Sequence, residues 1–262
     1  MNQVPQADTR PYVLLTNDDG VMAPGLLALA QAVGRIAELA IVAPDHNWSA
    51  SGHSKTMHKP LRVMSTQLGD GTPALMTTGS PSDCVALALL GVLERTPDLV
   101  ISGINQGANM GHDLTYSGTV SAAMEAVIAD LPAIAVSLDS YESTEFEVAA
   151  DLVAQLARQV IECELPHPLL LNVNVPALPR EQIRGIKITR LGQRIYRDAL
   201  VQRSDPRGQV YYWIGGEPPE GVAEEGTDIG ALSEGYISVT PVALDLTDRD
   251  ALETLRGWNL EL

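Results

Sequence analysis

The sequence predicts an α/β protein built on a doubly wound, mostly parallel sheet with helices on both faces. Strand and helix patterns alternate through the first two thirds of the chain, the order that gives parallel strands. Polar, glycine-rich segments follow the strands and precede the helices. Aromatic residues make up only 4% of the chain, so its core must be aliphatic, as suits strands that are buried on both faces. These observations indicate a Rossmann-like sheet that binds ligands at the carboxyl ends of its strands.

Local signals define the elements of this core. Short apolar runs bounded by polar turns indicate strands. Pro24 begins the first helical pattern and Pro81 the second, because proline is tolerated in the first turn of a helix. Residues 44–56 and 103–116 are predicted as long loops. The predicted strands are Tyr12–Thr16, Leu39–Ala43, Leu75–Thr78, Leu99–Ser102, Ala133–Leu138 and Leu169–Val175, and the predicted helices are Pro24–Glu38, Ser82–Leu93, Val120–Ala129 and Glu145–Ile161.

The chain from Gly185 onward has a different pattern. Strand signals are joined there by long polar connections, with few helices to cover them. Residues 217–234 carry six acidic side chains and no basic one, which indicates an exposed loop. The predicted elements are strands at Ile186–Leu191, Val210–Ile214 and Tyr236–Val242 and a terminal helix at Asp248–Trp258.

This change of pattern divides the chain into a Rossmann-like core, residues 1–184, and a β-rich extension with the terminal helix, residues 185–262. Alone, such an extension would expose apolar strand edges. Pairing with a second copy would cover them, and two-fold homodimers are the commonest solution. We therefore expect a homo-oligomer with Tyr211–Ile214 and the helix near Leu255 buried between subunits.

Charge and composition exclude several partners. The net charge is −16, which repels a nucleic acid polymer, although a helix N-terminus can still bind a small phosphorylated ligand. The first residues lack the apolar stretch of a signal peptide, and no apolar run reaches transmembrane length. Only Cys84 and Cys163 are present, without a cysteine-rich framework. We expect a soluble cytoplasmic protein without a membrane partner.

An acidic pair, Asp18 and Asp19, follows the first strand. Adjacent carboxylates repel each other and are costly to bury without a compensating partner. A polar hairpin turn is the simpler interpretation, but the next element is a helix and not a return strand. Because Gly20 lets the chain turn, both carboxylates could converge on one cation. Oxygen ligands suit Mg²⁺ or Mn²⁺.

Two further polar segments follow later strands. Residues 44–54 concentrate Asn, Ser and His side chains. His53 and His58 could be zinc ligands, but no further His or Cys lies at ligand spacing, which disfavours zinc. In residues 102–126, glycines such as Gly107 permit close approach of a ligand, and Asn105 offers a neutral oxygen. Ser117–Thr119 then begins a helix whose free N–H groups suit a phosphate. We predict that Gly118→Val would crowd this phosphate and lower kcat/KM, with metal affinity changed much less.

Four stretches of the chain resemble the SurE survival-protein nucleotidases. They are "LLTNDDG", "VAPDHNWSASGHS", "TTGSPSDCV" and "DLVISGINQGANMGHDLTYSGTVSAAMEA", and they occur in the family's order over most of residues 12–138. The resemblance implies a metal-dependent phosphatase of nucleoside monophosphates, and some members also act on short polyphosphate. It also implies a dimer or tetramer.

The resemblance also implies the site residues. The metal ligands, for one Mg²⁺ or Mn²⁺ per subunit, fall on Asp18, Asp19, Ser49 and Asn105, so a cation neutralises the acidic pair. Asp18 and Asp19 are the catalytic residues. Around them we assign the phosphate- and substrate-binding positions Asn17, Ser51, Gly52, His53, Gly79, Gly107, Asn109, Ser117, Gly118 and Thr119.

The expected reaction is in-line attack of water on phosphorus, with backbone N–H groups near Gly107 and at Ser117–Thr119 stabilising the equatorial oxygens. An aspartyl-phosphate mechanism with Asp18 as nucleophile is one alternative. It fits less well, because such enzymes usually separate the nucleophile and the acid by one residue. The alternative from another class is a nucleotide-binding regulator without hydrolysis.

Overall fold

The structure, a computed structural model, describes residues 10–163 and 166–260. This part of the chain contains eleven strands, and their order along the chain confirms the predicted α/β alternation. The strands are β1 (Tyr12–Thr16), β2 (Glu38–Pro44), β3 (Val63–Gln67), β4 (Pro73–Thr77), β5 (Leu99–Gln106), β6 (Ala133–Asp139), β7 (Leu170–Pro176), β8 (Ile186–Ile188), β9 (Arg194–Ser204), β10 (Val210–Gly221) and β11 (Ile237–Val242).

Six α-helices connect or follow these strands in the described ranges. Helix α2 continues into a π turn at Ala88–Val92, and Gly111–Thr115 forms a 3₁₀ turn after β5. None of the described helices is long and apolar enough to cross a membrane. The helices are α1 (Pro24–Val33), α2 (Pro81–Leu87), α3 (Gly118–Ile128), α4 (Glu147–Glu162), α5 (Asp228–Ser233) and α6 (Arg249–Arg256).

Nine of the strands form one sheet in the order β3-β4-β2-β1-β5-β6-β7-β11-β8. The pairings from β4 through β7 are parallel, whereas β3 and β11 run antiparallel to β4 and β7. The predicted mostly parallel sheet is therefore confirmed. Strand β1 is central, with β2 on one side and β5 on the other, so the strand order reverses between β1 and β5. In an open α/β sheet, ligands bind at this switch point.

Two apolar clusters cover the two faces of the sheet. One includes Leu29 of α1 and Val153 of α4, both fully buried. The other includes Val85 of α2 and Val120 of α3. Since both clusters also contain side chains of β1, that strand is buried on both faces, as its uninterrupted apolar sequence predicts.

Several element boundaries differ from the prediction. Helix α1 ends at Val33 and not at Glu38, because Glu38 already pairs with Tyr12 as the first residue of β2. Strand β5 continues beyond Ser102, so the predicted loop at 103–116 begins later. Its pairing with β6 resumes after a bulge, with Asn105 opposite Ser137. The bulge therefore places Asn105 at the carboxyl end of a strand.

The sequence pattern missed two strands. Strand β3 is an edge strand whose side chains are mostly polar or exposed, and β9 mixes charged with apolar residues without regular alternation. Neither contains the continuous apolar run that marked the buried strands. Both are held by antiparallel pairing, β3 with β4 and β9 with β10.

The prediction of an exposed acidic loop at 217–234 was wrong. The segment contains the end of β10 and the whole of α5. Asp228 is fully buried, and its carboxylate accepts hydrogen bonds from the backbone N–H groups of Gly192 (2.7 Å) and Gly111 (2.8 Å). These donors stabilise the buried charge, so an acidic sequence is compatible with a buried helix start here.

Part of the extension belongs to the main sheet. Strands β8 and β11 join the main sheet beside β7, whereas β9 and β10 form a separate hairpin. The division at residues 184 and 185 stays a prediction, with two strands from beyond it in the sheet of the core. The hairpin and α6 leave several apolar side chains exposed, among them Leu200, Trp213, Ile214 and Leu255.

Candidate active site

The acidic pair lies where the topology predicts a ligand site. Asp18 and Asp19 follow β1, and Asn105 lies near the end of the neighbouring β5. Gly20 has a φ of +98°, which turns the chain after the pair. The side chain of Asn17 closes this turn, since its Nδ2 donates to the Gly20 carbonyl at 2.9 Å. Asn17 therefore shapes the loop that carries the two carboxylates.

A cavity of about 240 Å³ opens at this edge of the sheet. It brings together segments that follow β1, β2, β5 and β6 with the start of α3. Six sequence-predicted residues line it, including three of the four predicted metal ligands. The lining residues are Asp18, Ser49, Ala50, Asn105, Gln106, Gly107, Ala108, Asn109, Asp113, Tyr116, Ser117 and Tyr141.

The Asp18 carboxylate is buried and accepts a hydrogen bond from a side chain of α3. Its exposed fraction is 4%, and its Oδ1 accepts a hydrogen bond from the Thr119 hydroxyl at 2.6 Å. Burial raises the pKa of Asp18, and the hydroxyl and backbone N–H of Thr119 oppose this rise only in part. The predicted phosphate-binding residue Thr119 thus contacts the carboxylate of Asp18.

Asp19 is held beside it by two amides. Asn47 Nδ2 donates to Asp19 Oδ1 at 2.9 Å, and the Gln106 N–H lies 3.4 Å from Oδ2. Burial, followed by the negative charge of Asp18, raises the pKa of Asp19 to about 6. Without a cation the ionised pair is unfavourable, which is the condition under which a bound cation would be most stabilising.

We expect the unfavourable ionisation of Asp19 to make the stability difference between Asp19→Asn and the unmodified protein depend on pH when both are treated with a chelator. The pKa of Asp19 rises on folding from its ordinary 3.8 to about 6, so the folded state retains a proton that the unfolded state has lost. The contribution of Asp19 to stability must therefore fall as pH rises through this window. Urea unfolding should show that Asp19→Asn gains stability over the unmodified protein between pH 4 and pH 7, and a gain that shrinks with pH would contradict the assignment.

The loop after β2 is fixed to several neighbours. Asn47 Oδ1 accepts from the Ser49 N–H at 2.7 Å, and the Gly52 N–H donates to the Tyr116 carbonyl at 3.1 Å. His53 and Lys55 both bind the buried Glu125 of α3 at 3.0 and 2.5 Å. The predicted substrate-binding residue His53 is thus paired with α3 and does not line the cavity.

The start of α3 lies directly against Asp18. Ser117 caps the helix by accepting from the Val120 N–H at 3.1 Å. A Cβ built at Gly118 would lie 2.9 Å from Asp18 Oδ2 and 3.1 Å from Ser51 Oγ. This geometry contradicts the expectation that a side chain at Gly118 would change metal affinity much less than catalysis, because the side chain would displace Asp18, a predicted metal ligand.

At other predicted phosphate- and substrate-binding positions, the polar groups already form hydrogen bonds within the protein. The Gly107 N–H donates to the Leu138 carbonyl at 2.9 Å, so it is not free for a phosphate oxygen in this conformation. Asn109 lines the cavity, but its amides bind Ser137 and Asn174. Gly79 lies outside the cavity lining, with its N–H 3.2 Å from Thr77 Oγ1.

The donor set fits a hard divalent cation. The described residues contain no group of three His, Cys, Asp or Glu side chains able to hold a metal, so any site here must combine carboxylates with neutral oxygens. Asp18, Ser49 and Asn105 supply that combination around one cavity. Asn105 Nδ2 donates to the Gly107 carbonyl at 2.7 Å, which leaves its Oδ1 to accept. Ser51 Oγ is buried near Asp18 without a hydrogen-bond partner in the described structure.

Four polar residues that line the cavity were not predicted from the sequence: Gln106, Asp113, Tyr116 and Tyr141. Three of them, Gln106, Asp113 and Tyr116, lie within residues 102–126, one of the polar segments noted from the sequence. Tyr141 follows β6, the next strand of the sheet, so the rule that strand ends meet at one edge could have found it. Nothing in the local sequence distinguishes it from an ordinary surface tyrosine.

Fold and site together define an α/β protein with an acidic, oxygen-lined cavity at the topological switch point of its sheet. Residues 13–198 match the family profile of survival protein SurE. A protein of Chloroflexus aggregans named 5′-nucleotidase SurE is 54% identical over 95% of this chain and 100% of its own. One of Herpetosiphon aurantiacus with the same name is 52% identical over 94% and 98%. The chain belongs to the SurE family.

A solved structure agrees with this assignment. The crystal structure of the SurE protein from Aquifex aeolicus superposes with a TM-score of 0.80 at 42% identity, and the match covers 94% of this chain and 98% of that one. The similarity therefore extends through the extension as well as the core.

Proposed function

We propose that this protein is a divalent-metal-dependent nucleotidase that hydrolyses nucleoside monophosphates to a nucleoside and phosphate. The observation that carries the proposal is the meeting of Asp18, Ser49 and Asn105 in one cavity, with Asp19 beside them. The relatives named 5′-nucleotidase SurE support a phosphomonoesterase. Short polyphosphate presents the same phosphoryl oxygens, and we propose it as a second substrate.

Asp18, Asp19, Ser49 and Asn105 would hold the cation. When bound, a Mg²⁺ or Mn²⁺ ion supplies polarisation of the phosphoryl oxygens and lowers the pKa of water. Asp19, fixed by Asn47 and Gln106, accepts a hydrogen bond from the attacking water. The water oxygen bonds to phosphorus as the bond from phosphorus to the ester oxygen breaks. The water gives up one proton and the leaving oxygen takes up one, so the products are a nucleoside and phosphate. The start of α3 places its positive end toward this charge.

Phosphate release from AMP tests the proposal. Chelator-treated protein should release little phosphate, and added Mn²⁺ should restore release. AMP binding without release under any divalent cation would indicate the nucleotide-binding regulator instead. A phosphorylated protein trapped by acid quench would indicate the aspartyl-phosphate mechanism.

We also propose that the protein is a homodimer or a dimer of dimers in the cytoplasm. The hairpin of β9 and β10 lies outside the main sheet, and Ile214 at its surface is 83% exposed. Leu255 and Trp258 in and after α6 are exposed as well. A second copy that covered these side chains would remove apolar surface from water.

Light scattering should therefore give at least twice the 28.0 kDa chain mass at micromolar concentration. Ile214→Asp should shift the mass downward, because it places a charge in the proposed interface. Leu90→Asp is the matched control, since Leu90 is an equally exposed leucine on the π turn outside the extension. A 28.0 kDa species for the unmodified protein would contradict the proposal.

A further inference from the structure

One wall of the cavity is formed by a single stretch of the chain. Six of the twelve residues that line the cavity lie between positions 107 and 117, directly after β5. This stretch, the 107–117 wall, contains the 3₁₀ turn and ends at the cap of α3. A binding site keeps its geometry only where its backbone is held by neighbouring groups. The lining residues of the wall are Gly107, Ala108, Asn109, Asp113, Tyr116 and Ser117.

A carboxylate of the extension binds the middle of this wall. Asp228 at the start of α5 is fully buried, and its Oδ2 accepts a hydrogen bond from the Gly111 N–H at 2.8 Å. Its Oδ1 accepts from the Gly192 N–H at 2.7 Å and from the Ile229 N–H at 2.8 Å. Because both oxygens accept backbone N–H groups, this one side chain joins the wall to two segments of the extension.

Close packing leaves the carboxylate little room to shift. An added Cβ at Gly192 would lie 2.9 Å from Asp228 Oδ1, and one at Gly111 would lie 2.6 Å from the Gly192 carbonyl oxygen. Met110, next to Gly111, is buried in a small cluster with apolar side chains of α5. The wall is therefore held to α5 by a hydrogen bond and by apolar packing.

A second contact from the extension reaches the same wall. Arg194 Nε of β9 lies 2.9 Å from Asp113 Oδ2, and the Tyr196 hydroxyl donates to the other oxygen of that carboxylate. The Asp113 carbonyl accepts from the N–H groups of Tyr116 and Ser117 at 2.9 and 3.1 Å. The position of the wall therefore depends on where the extension lies.

We propose that Asp228 is a positioning residue of the active site, which holds the 107–117 wall at the distance from the metal ligands that the substrate requires. The proposal rests on the nucleotidase function and gives the extension a role in the site besides assembly. Asp228 lies outside the cavity lining of the described structure and acts through the Gly111 N–H. Asp18, Ser49 and Asn105 lie on other segments, so the loss of Asp228 alters catalysis more than metal affinity.

Asp228→Asn tests this role. The amide keeps the size of the side chain, but its nitrogen is a donor and would face one of the two backbone N–H groups that the carboxylate accepts. Since a displacement of about 1 Å can cost roughly 100-fold in rate, kcat/KM for AMP should fall about 10- to 100-fold. Mn²⁺ affinity, measured by calorimetry, should stay nearly unchanged.

Thr189→Val is the matched control. Thr189 is a buried residue of the extension whose hydroxyl bonds to Ser238 and Thr240 at 2.8 and 2.7 Å, away from the cavity lining. It should lower the Tm, as Asp228→Asn should, with normal kcat/KM for the folded protein. Gly192→Ala is the second test variant, because its Cβ would displace the Asp228 carboxylate without removing the charge. It should reproduce the fall in kcat/KM.

Normal kcat/KM in Asp228→Asn with a lowered Tm would overturn the proposal, because Asp228 would then only stabilise the fold. A fall in Mn²⁺ affinity as large as the fall in kcat/KM would overturn it as well. If Asp228→Asn does not fold, Gly192→Ala decides by the same measurements.

Failure of the nucleotidase function is distinguishable, since the unmodified protein would then release no phosphate from AMP. Hydrogen exchange of residues 107–117 would decide the proposal in that case. Exchange faster in Asp228→Asn than in Thr189→Val is the expected result, because the Gly111 N–H loses its acceptor. Equal exchange in the two variants would contradict the proposal.

Discussion

Asp18→Asn should abolish phosphate release from AMP and leave the fold intact. Asn keeps the shape of the side chain and an oxygen that can accept the 2.6 Å hydrogen bond from the Thr119 hydroxyl. It removes the charge that we propose holds the cation. Replacement of outer-shell groups at metal sites typically costs 10- to about 100-fold, so we expect the loss of a direct ligand to exceed about 100-fold in kcat/KM.

Thermal unfolding provides the control for this variant. Burial raises the pKa of Asp18, so removal of its charge should raise the Tm of chelator-treated protein at pH 7. Mn²⁺ should raise the Tm of the unmodified protein and have little effect on the variant, because a ligand stabilises only the state that binds it. Near-normal turnover by Asp18→Asn at saturating Mn²⁺ would show that Asp18 is not required for the cation.

Gly118→Val should lower both turnover and Mn²⁺ affinity. A Cβ at this position would lie 2.8 Å from the Asp18 Cβ and 2.9 Å from its Oδ2, closer than such atoms approach in proteins. Helix α3 cannot shift freely, because the Thr119 hydroxyl donates to Asp18 and Glu125 pairs with His53 and Lys55. Asp18 must therefore move, and a displacement of about 1 Å can cost roughly 100-fold in rate.

Calorimetric titration with Mn²⁺ separates this expectation from the one drawn from sequence. Gly69→Val is the control, since a Cβ at Gly69 would meet only Leu27 Cδ2 at 3.6 Å, an ordinary contact. It should bind Mn²⁺ and turn over AMP like the unmodified protein. Loss of activity in Gly118→Val with unchanged Mn²⁺ affinity would show that the substitution affects phosphate binding alone. It would contradict the expected displacement of Asp18.

The parts of the fold that the sequence predicted correctly are those with strong local signals. Strand β1 is a continuous apolar run, and α1 begins at Pro24 as predicted. Strand β9 lacked such a signal, since its residues are held by pairing with β10 and not by burial on both faces. The burial of Asp228 depends on N–H groups of Gly111 and Gly192, which are distant along the chain.

The same distinction applies to the site. The resemblance assigned Asp18, Ser49 and Asn105 together, and the structure places them in one cavity. The contact of Gly118 with Asp18 joins residues about a hundred positions apart, so no local pattern could predict it. The hydrogen bond from the Gly107 N–H to the Leu138 carbonyl likewise forms because the end of β5 lies beside β6.

Parallel titrations of binding and activity test whether one divalent cation at the β1–β5 switch point enables hydrolysis. Mn²⁺ would be added to chelator-treated protein while bound Mn²⁺ and phosphate release from AMP are both measured. We predict one Mn²⁺ per chain, activity that rises in proportion to occupancy, and loss of both signals in Asp18→Asn. Full phosphate release from protein that holds no divalent cation, or activity that does not follow occupancy, would contradict the account.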